Sequence, residues 1–460
     1  MNKKINGEKL YNAFFFALPM AFYLFFWLYD GAVWCADTAS YVEMHRCREP
    51  LYPIYLAFCR LLCGGNQDTS LFIAVFGQSL LVAVATWSLA RYLTKSFDIS
   101  KAVSFLILFM PMATSLLCRF AAKRSSMYSN SILTESIAIS IYLLFFRFCS
   151  EYFFEKSRRS LIICLILCFV GISLRKQMYV IFCLLVIAVI YVLISSRSKW
   201  QEYAKFAVSI LVLLCAIRLF DCTYNLIVHN HFMRHDEDNR FVTTMAFYTA
   251  EREYVEYVDP RLQDIYLDIY DICEENGWLM HDAPDNWADA VEFFSNSYDH
   301  IQLDTMEIVI NEYLNSESAD YSWLGEGAKA DLIRESFNAS LLPHEIPALI
   351  YIVFWNFVSG LVVTIAVFRK IFCIYALVAY PLLVGLTIWC LIKWIKNKEC
   401  TLCKRGYELG MLTILGILGN VLLVAAVIFT QTRYMIYNMP VFYMTMIVLL
   451  NTCWKTYRKK

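Results

Sequence analysis

Residues 177–195 read QMYVIFCLLVIAVIYVLIS, nineteen consecutive positions with no charged side chain. A helix of that length and character crosses the roughly 30 Å hydrocarbon core of a bilayer, so the stretch predicts a membrane span. Ten further runs of the same kind lie around it, at 11–29, 70–92, 101–118, 131–149, 161–175, 203–221, 346–368, 371–392, 408–430 and 434–452. Composition agrees: of 460 residues 59% are hydrophobic and 17% charged, too apolar for a soluble protein of this size. The hydrophobicity sits in continuous runs rather than alternating ten-residue segments, which excludes a β-barrel. The fold class is an all-α polytopic membrane protein of about 10–12 transmembrane helices.

Lys and Arg set the orientation, because basic residues are retained on the cytoplasmic side. Lys3, Lys4 and Lys9 precede the first run; Arg91, Lys95 and Lys101 lie between the second and third; Lys156, Arg158 and Arg159 follow the fourth; Arg197, Lys199 and Lys205 follow the sixth. All four clusters agree with a cytoplasmic N-terminus and put 30–69, 119–130, 175–176 and 222–345 outside. No small-x-small cleavage site follows the first run, which is read as an uncleaved span. Eleven crossings would leave Lys393, Lys396, Lys398, Lys404, Arg405 and the tail from Lys455 to Lys460 outside, against the charge rule. One segment within 346–392 is therefore expected not to cross. The candidate is the run broken at Tyr380-Pro381, as two half-helices that enter and return.

Three modules follow: an N-terminal membrane module at 1–221 with its catalytic first outer loop at 30–69, an acidic, mostly helical extracytoplasmic loop domain at 222–345, and a C-terminal membrane module at 346–460. In the loop domain Val258, Leu262, Ile265, Ile269 and Ile272 recur at helical spacing before Asn276-Gly277 ends the run, and 291–314 is amphipathic. Trp278, Trp287 and Trp323 are read as packing residues of a small helical cap, in preference to rings that stack on sugars. Seventeen Cys are scattered, and the C-x-x-C at Cys400 and Cys403 has no second pair or His at zinc spacing, so no metal site is expected. No G-x-S-x-G, H-E-x-x-H, Walker-type G-x-x-x-x-G-K or usable G-x-G-x-x-G occurs, which argues against an ATP-driven pump and a cytosolic sugar-nucleotide enzyme.

Chemistry concentrates in DGAVWCADTASYVEMHRCREPLYP, Asp30 to Pro53. Ionisable groups beside hydrocarbon are expensive unless solvated, paired or used. Asp37 has the chemical type of a general base toward an acceptor hydroxyl, or of a metal ligand. Glu135 opens the fourth run, where the helix dipole by itself accounts for a carboxylate, while its place at the same face as Asp37 offers the alternative of a shared site. Cations of the outer face form three clusters: Arg46 and Arg48; Arg119, Lys123 and Arg124; Arg175 and Lys176. Positive charge is disfavoured on this side, so the clusters point to a lipid phosphate or pyrophosphate, or to pairing with headgroups or the acidic loop.

The pattern resembles the GT-C superfamily of integral membrane glycosyltransferases, in particular bacterial relatives of protein O-mannosyltransferases and lipid A aminoarabinose transferases. The resemblance rests on D-x-x-x-Y at Asp37 to Tyr41, R-x-P-L-Y-P at Arg48 to Pro53, T-E at Thr134-Glu135, L-R-K at Leu174 to Lys176, and R-Y at Arg433-Tyr434 followed by Pro440. It covers mainly the first half of the chain. Lys176 stands where relatives often have Pro, and one Asp stands where some have an acidic pair. The resemblance implies a GT-C-like bundle in which the first-loop Asp37 is the catalytic base or orients the acceptor; joined to the reading of the charges, it gives Asp37 and Glu135 as catalytic candidates and Tyr41, Arg48, Tyr52, Lys123, Arg124, Arg175, Lys176 and Arg433 as substrate-binding ones. It implies a polyprenyl-phosphate-linked sugar donor, a lipid, glycan or protein acceptor, and a multi-pass place in a bacterial inner membrane among its lipids. A divalent cation is left open as cofactor, and no nucleic-acid partner is expected.

Two other readings stay open. An O-antigen polymerase or ligase would use the cluster of His229, His231, Arg234, His235 and Arg240 at the start of the large loop. A transporter or lipid flippase is disfavoured by spans poor in internal charge.

Overall fold

A computed structural model describes residues 2–121, 126–235, 239–316, 326–366 and 370–458. Helices make up nearly all of it, and among the described residues the one β-type contact is an isolated parallel bridge between Val33 and Ser131. In order the chain forms α1 (Asn2–Asp30), α2 (Thr38–Val42), α3 (Leu51–Leu62), α4 (Gln67–Ser96), α5 (Lys101–Ala121), α6 (Glu135–Glu155), α7 (Arg158–Leu174), α8 (Tyr179–Ser195) and α9 (Trp200–His229). The large loop follows as α10 (Arg240–Thr249), α11 (Gln263–Glu275), α12 (Trp287–Asp299) and α13 (Glu307–Ser316), with a π-helical turn at His300–Met306. The chain ends with α14 (Glu326–Ile365), α15 (Lys370–Lys396), α16 (Thr401–Ala425), α17 (Thr432–Met435) and α18 (Asn438–Arg458).

Every apolar run becomes part of a helix, and nine helices among the described residues are long and apolar enough to cross a membrane. The protein is an all-α, multi-pass membrane protein. Helices α4 and α7 begin at side chains that accept from orphan N–H groups: Asn66 Oδ1 accepts from Thr69 N at 2.9 Å, and Ser157 Oγ from Ser160 N at 3.3 Å. Phe14, Phe25, Leu28, Ile371, Ile374 and Leu377 stand exposed on α1 and α15. In water such faces would aggregate; against lipid tails they cost nothing. Between helices small residues permit close approach. Gly416 sets its Cα under the Tyr142 hydroxyl, which would lie 2.8 Å from a Cβ there, and Gly406 faces Cys390 Sγ at 2.9 Å in the same sense.

The bundle has two chemically different ends. At one, Arg405 Nη1 donates to Ser96 O at 3.0 Å, Lys455 reaches the carbonyls of Phe97 and Asp98, and Lys101 Nζ lies 5.0 Å over the Tyr11 ring. This basic end gathers the 91–101, 393–405 and 455–458 cations. The other end carries the 30–53 loop, the corner between α7 and α8, and α17.

One segment within 346–392 does not traverse, but it is not the one expected. Helix α15 runs unbroken through Pro381, and Tyr375 near its start touches Tyr443 at 3.1 Å, hydroxyl to hydroxyl. The Tyr443 hydroxyl also donates to Ile365 O, the last residue of α14, at 2.6 Å. Helix α14 therefore descends from the loop domain only to the first turns of α18, and α15 departs from that same end. Setting α14 aside leaves eight of the nine long apolar helices, α1, α4 to α6, α8, α9, α15 and α16; α7 and α18 run between the same ends beside them and make ten. An even number of passages brings both chain termini to the basic end, which satisfies the charge rule that eleven crossings violated.

The loop domain has its own core, in which Phe247, Tyr266, Phe294, Tyr298 and Phe337 are buried together. Val258, Leu262, Ile265 and Ile269 point into it from and just before α11. Gly277, at φ +66°, supplies the left-handed residue that ends that helix.

Candidate functional site

The site is assembled where the chain leaves α1. Gly31, at φ +63°, turns the backbone out of the helix. The fully buried Asn130 then holds the turn, its Nδ2 donating to the carbonyls of Phe26 and Gly31, each at 2.9 Å. Val33 N donates to Asn130 O at 2.9 Å, Ile132 N to Val33 O at 3.0 Å, and Thr38 Oγ1 to Ile132 O at 3.1 Å. These bonds pin the first loop against the segment leading into α6, so Asp37, which precedes α2, and Glu135, which begins α6, share one site.

Three guanidinium groups tie the two carboxylates together. Arg48 Nη2 donates to Asp37 Oδ1 at 2.8 Å, and its Nε to Ser40 Oγ at 2.8 Å, while the group lies 4.6 Å over the Tyr41 ring. Arg175 Nη1 is 2.7 Å from Glu135 Oε1 and donates to Thr134 Oγ1 at 3.1 Å. Arg433 is shared, with Nη2 3.2 Å from Asp37 Oδ2 and Nε 3.1 Å from Glu135 Oε1. Tyr434 lies beneath two of the three, 5.1 Å from Arg175 and 4.9 Å from Arg433. The alternating chain Arg48, Asp37, Arg433, Glu135, Arg175 draws on four segments distant in sequence and carries one positive charge in excess.

Burial varies along the network. The Glu135 side chain is 1% exposed and Asp37 26%, so the site opens on the Asp37 side. Burial alone would raise the Asp37 carboxyl, but the Arg48 and Arg433 charges outweigh it and hold that carboxyl below its ordinary value. Burial pushes the Tyr41 hydroxyl up to about 12, and its oxygen accepts from Arg48 Nη1 at 3.4 Å. Among the described residues no group of three or more His, Cys, Asp and Glu stands ready for a metal ion. A cation between Asp37 and Glu135 would have to displace Arg433.

Of the residues singled out from sequence, Asp37, Tyr41, Arg48, Glu135, Arg175 and Arg433 come together. Tyr52 does not reach the opening: it is fully buried, packs edge-on to Tyr41 at 5.1 Å and donates to Gln78 Oε1 at 2.8 Å. It supports the site from below. The backbone N–H of Lys176 donates to Glu49 Oε1 at 2.9 Å, and its side chain lines a neighbouring cavity with Asp221 and His235. Lys123 and Arg124 lie outside the described residues. Within the basic clusters Arg119 pairs with Asp30, Arg48 with Asp37 and Arg175 with Glu135. Trp278 stacks on His300 at 4.8 Å and Trp287 on Trp355 at 5.1 Å, as packing residues do; Trp323 lies outside the described residues.

Asp299 was not singled out from sequence. It ends α12, directly after Tyr298, whose hydroxyl donates to Phe241 O at 3.1 Å and whose ring meets Phe429 at 5.3 Å. That packing sets α12 on the strand of chain leading to Arg433. Asp299 is open to solvent on one side. Burial on the other, with the Asp37 charge, raises its carboxyl above the ordinary value against the pull of Arg433. The π-helical turn that follows it is a geometry often found at functional positions.

Comparison of the chain with protein-family models, curated proteins and solved structures gave no match. What the site does must be read from its own geometry.

Proposed function

We propose that the protein is a GT-C-type membrane glycosyltransferase that moves a sugar from a polyprenyl-phosphate-linked donor to a lipid, glycan or protein acceptor at the extracytoplasmic face. The observation that supports this best is Arg433 shared between Asp37 and Glu135, with Arg48 and Arg175 completing an arginine-rich cradle at one membrane end. Guanidinium forks bind phosphate oxygens in bidentate fashion, and the extra positive charge suits an anion.

In this reading the donor phosphate takes over bonds that Arg48 and Arg433 now make to Asp37. The carboxylate so released gains basicity. It accepts the acceptor hydroxyl proton as that oxygen attacks the sugar C1, and the C1–O bond to the phosphate breaks with its electron pair leaving on the phosphate. The arginines stabilise that developing charge, and the product is inverted at C1. Glu135, too buried to meet the acceptor in this arrangement, holds Arg175 and Arg433 in place. Asp37→Asn is expected to retain fold and donor binding and to lose transfer by about 100-fold or more. Full turnover by the purified variant would remove Asp37 from the role of base.

A second reading, an O-antigen polymerase or ligase, gains from one observation. Arg234 and His235 line a cavity of about 120 Å³ with Lys176, and His235 Nδ1 lies 2.7 Å from Asp221 Oδ2. Loss of activity confined to alanine variants at 229–240 would favour it, whereas loss confined to Asp37 and Glu135 would favour the glycosyltransferase.

A further inference from the structure

The basic end holds a feature that transfer chemistry at the opposite end does not use. A cavity of about 660 Å³ opens between α4, α6, α7 and the start of α16, within the size range of ligand sites. Five cationic side chains and two carboxylates line it. The carboxylates are engaged: Glu151 pairs with Arg147 and accepts from Ser160 Oγ at 2.6 Å, and Glu155 accepts from the Tyr92 hydroxyl at 3.5 Å. Arg91, Lys95 and Arg159 make no ion pair among the described residues. Retention of basic residues on one side explains their presence there, but not their convergence on a cavity.

We propose that this cavity binds the phosphate-bearing headgroup of an anionic membrane lipid. Charge gives the phosphate, and the surroundings give the lipid. Trp87 stands in the lining with Phe16 edge-on at 5.2 Å, an aromatic pair suited to the headgroup level. From the cations two apolar lanes lead toward the bilayer interior. On α4, Leu80 lies two turns from Trp87 on the same face and is 38% exposed; on α7, Ile162 and Ile166 lie three and seven residues beyond Arg159 and are 57% and 55% exposed. A soluble phosphate compound would gain nothing from those lanes, whereas acyl chains would cover them. Arg91 and Lys95 on α4 and Arg159 on α7 would grip one headgroup, clamping two helices that otherwise present like charges to each other.

The test is independent of the chemistry at the other end. Full-length protein is mixed with phosphatidylglycerol and phosphatidylcholine micelles, and bound lipid is read by native mass spectrometry. Phosphatidylglycerol is expected to be retained in preference, with binding about tenfold weaker or more in Arg91→Gln/Lys95→Gln, similarly weakened in Arg159→Gln, and unchanged in Lys199→Gln on the same end. Raised salt should weaken it further. Arg159→Gln, from a different helix, decides the matter if the double variant does not fold. Equal retention by wild type and cavity variants would overturn the proposal, and so would displacement of the lipid by inorganic pyrophosphate, which would mark a site for a soluble phosphate.

Discussion

Arg433 stands between two carboxylates, and each keeps a second guanidinium of its own. Arg433→Gln is therefore expected to leave a folded protein whose donor binding and transfer both fall, read as a larger loss in kcat/KM than in thermal stability. Arg175 differs, because Glu135 is 1% exposed and cannot turn to water. Arg175→Met should cost about 3–5 kcal/mol by leaving a buried charge undercompensated, and adding Glu135→Gln should restore part of it, measured by denaturation in detergent. Acid should act on Asp37. Its folded carboxyl lies below its unfolded value, so its contribution to stability is present above about pH 4 and is lost as pH falls through the lower folded value. Asp37→Asn should flatten that limb of the stability profile. At this scale the sequence pointed to Asp37, Glu135, Arg48 and Arg175, because charge beside an apolar run is conspicuous, whereas Arg433 was visible only through the resemblance of Arg433-Tyr434 to a GT-C motif. Asp299 was one carboxylate in an acidic loop. Its distinction lies in tertiary packing by Tyr298 and in a π-helical turn, neither of which leaves a periodic signal.

Helices were legible wherever about 20 apolar residues ran together, since length alone specifies such a segment. The break expected at Tyr380-Pro381 was misplaced. Proline lacks an N–H and frees one carbonyl, but α15 continues through it. The segment that stops short is α14, whose end is set by Tyr443, a contact between residues far apart in sequence. Helix pairing offers its own test on α15 and α16. A Cβ at Gly410 would sit 2.8 Å from Thr387 Cγ2, whereas one at Gly385 would meet nothing within 4 Å. Gly410→Ala is expected to destabilise by about 1–3 kcal/mol through overpacking, and Gly385→Ala to be neutral or slightly stabilising. Equal effects in thermal unfolding would mean that α15 and α16 do not pack as described.

For the molecule as a whole, the two-ended distribution of charge joins topology to function. With ten helices passing between the ends, reporter fusions after Arg197 and after Lys460 should report the same compartment, the cytoplasm, and one after Glu43 the opposite side. A reporter after Lys460 on the far side would break the even count and move Arg433 away from Asp37. That two-sidedness was visible in the sequence as clustered Lys and Arg, although its parity was resolved only by contacts such as Lys455 with Asp98. The central claim is sugar transfer from a lipid-linked donor at the Asp37 end. It is tested most directly by mass spectrometry of lipid-linked and surface glycans in membranes that carry the wild-type protein, the Asp37→Asn variant, or neither. The expected result is one glycan made only with wild type, with its lipid-linked donor accumulating in the other two. Identical glycans and lipid-linked pools in all three would contradict it.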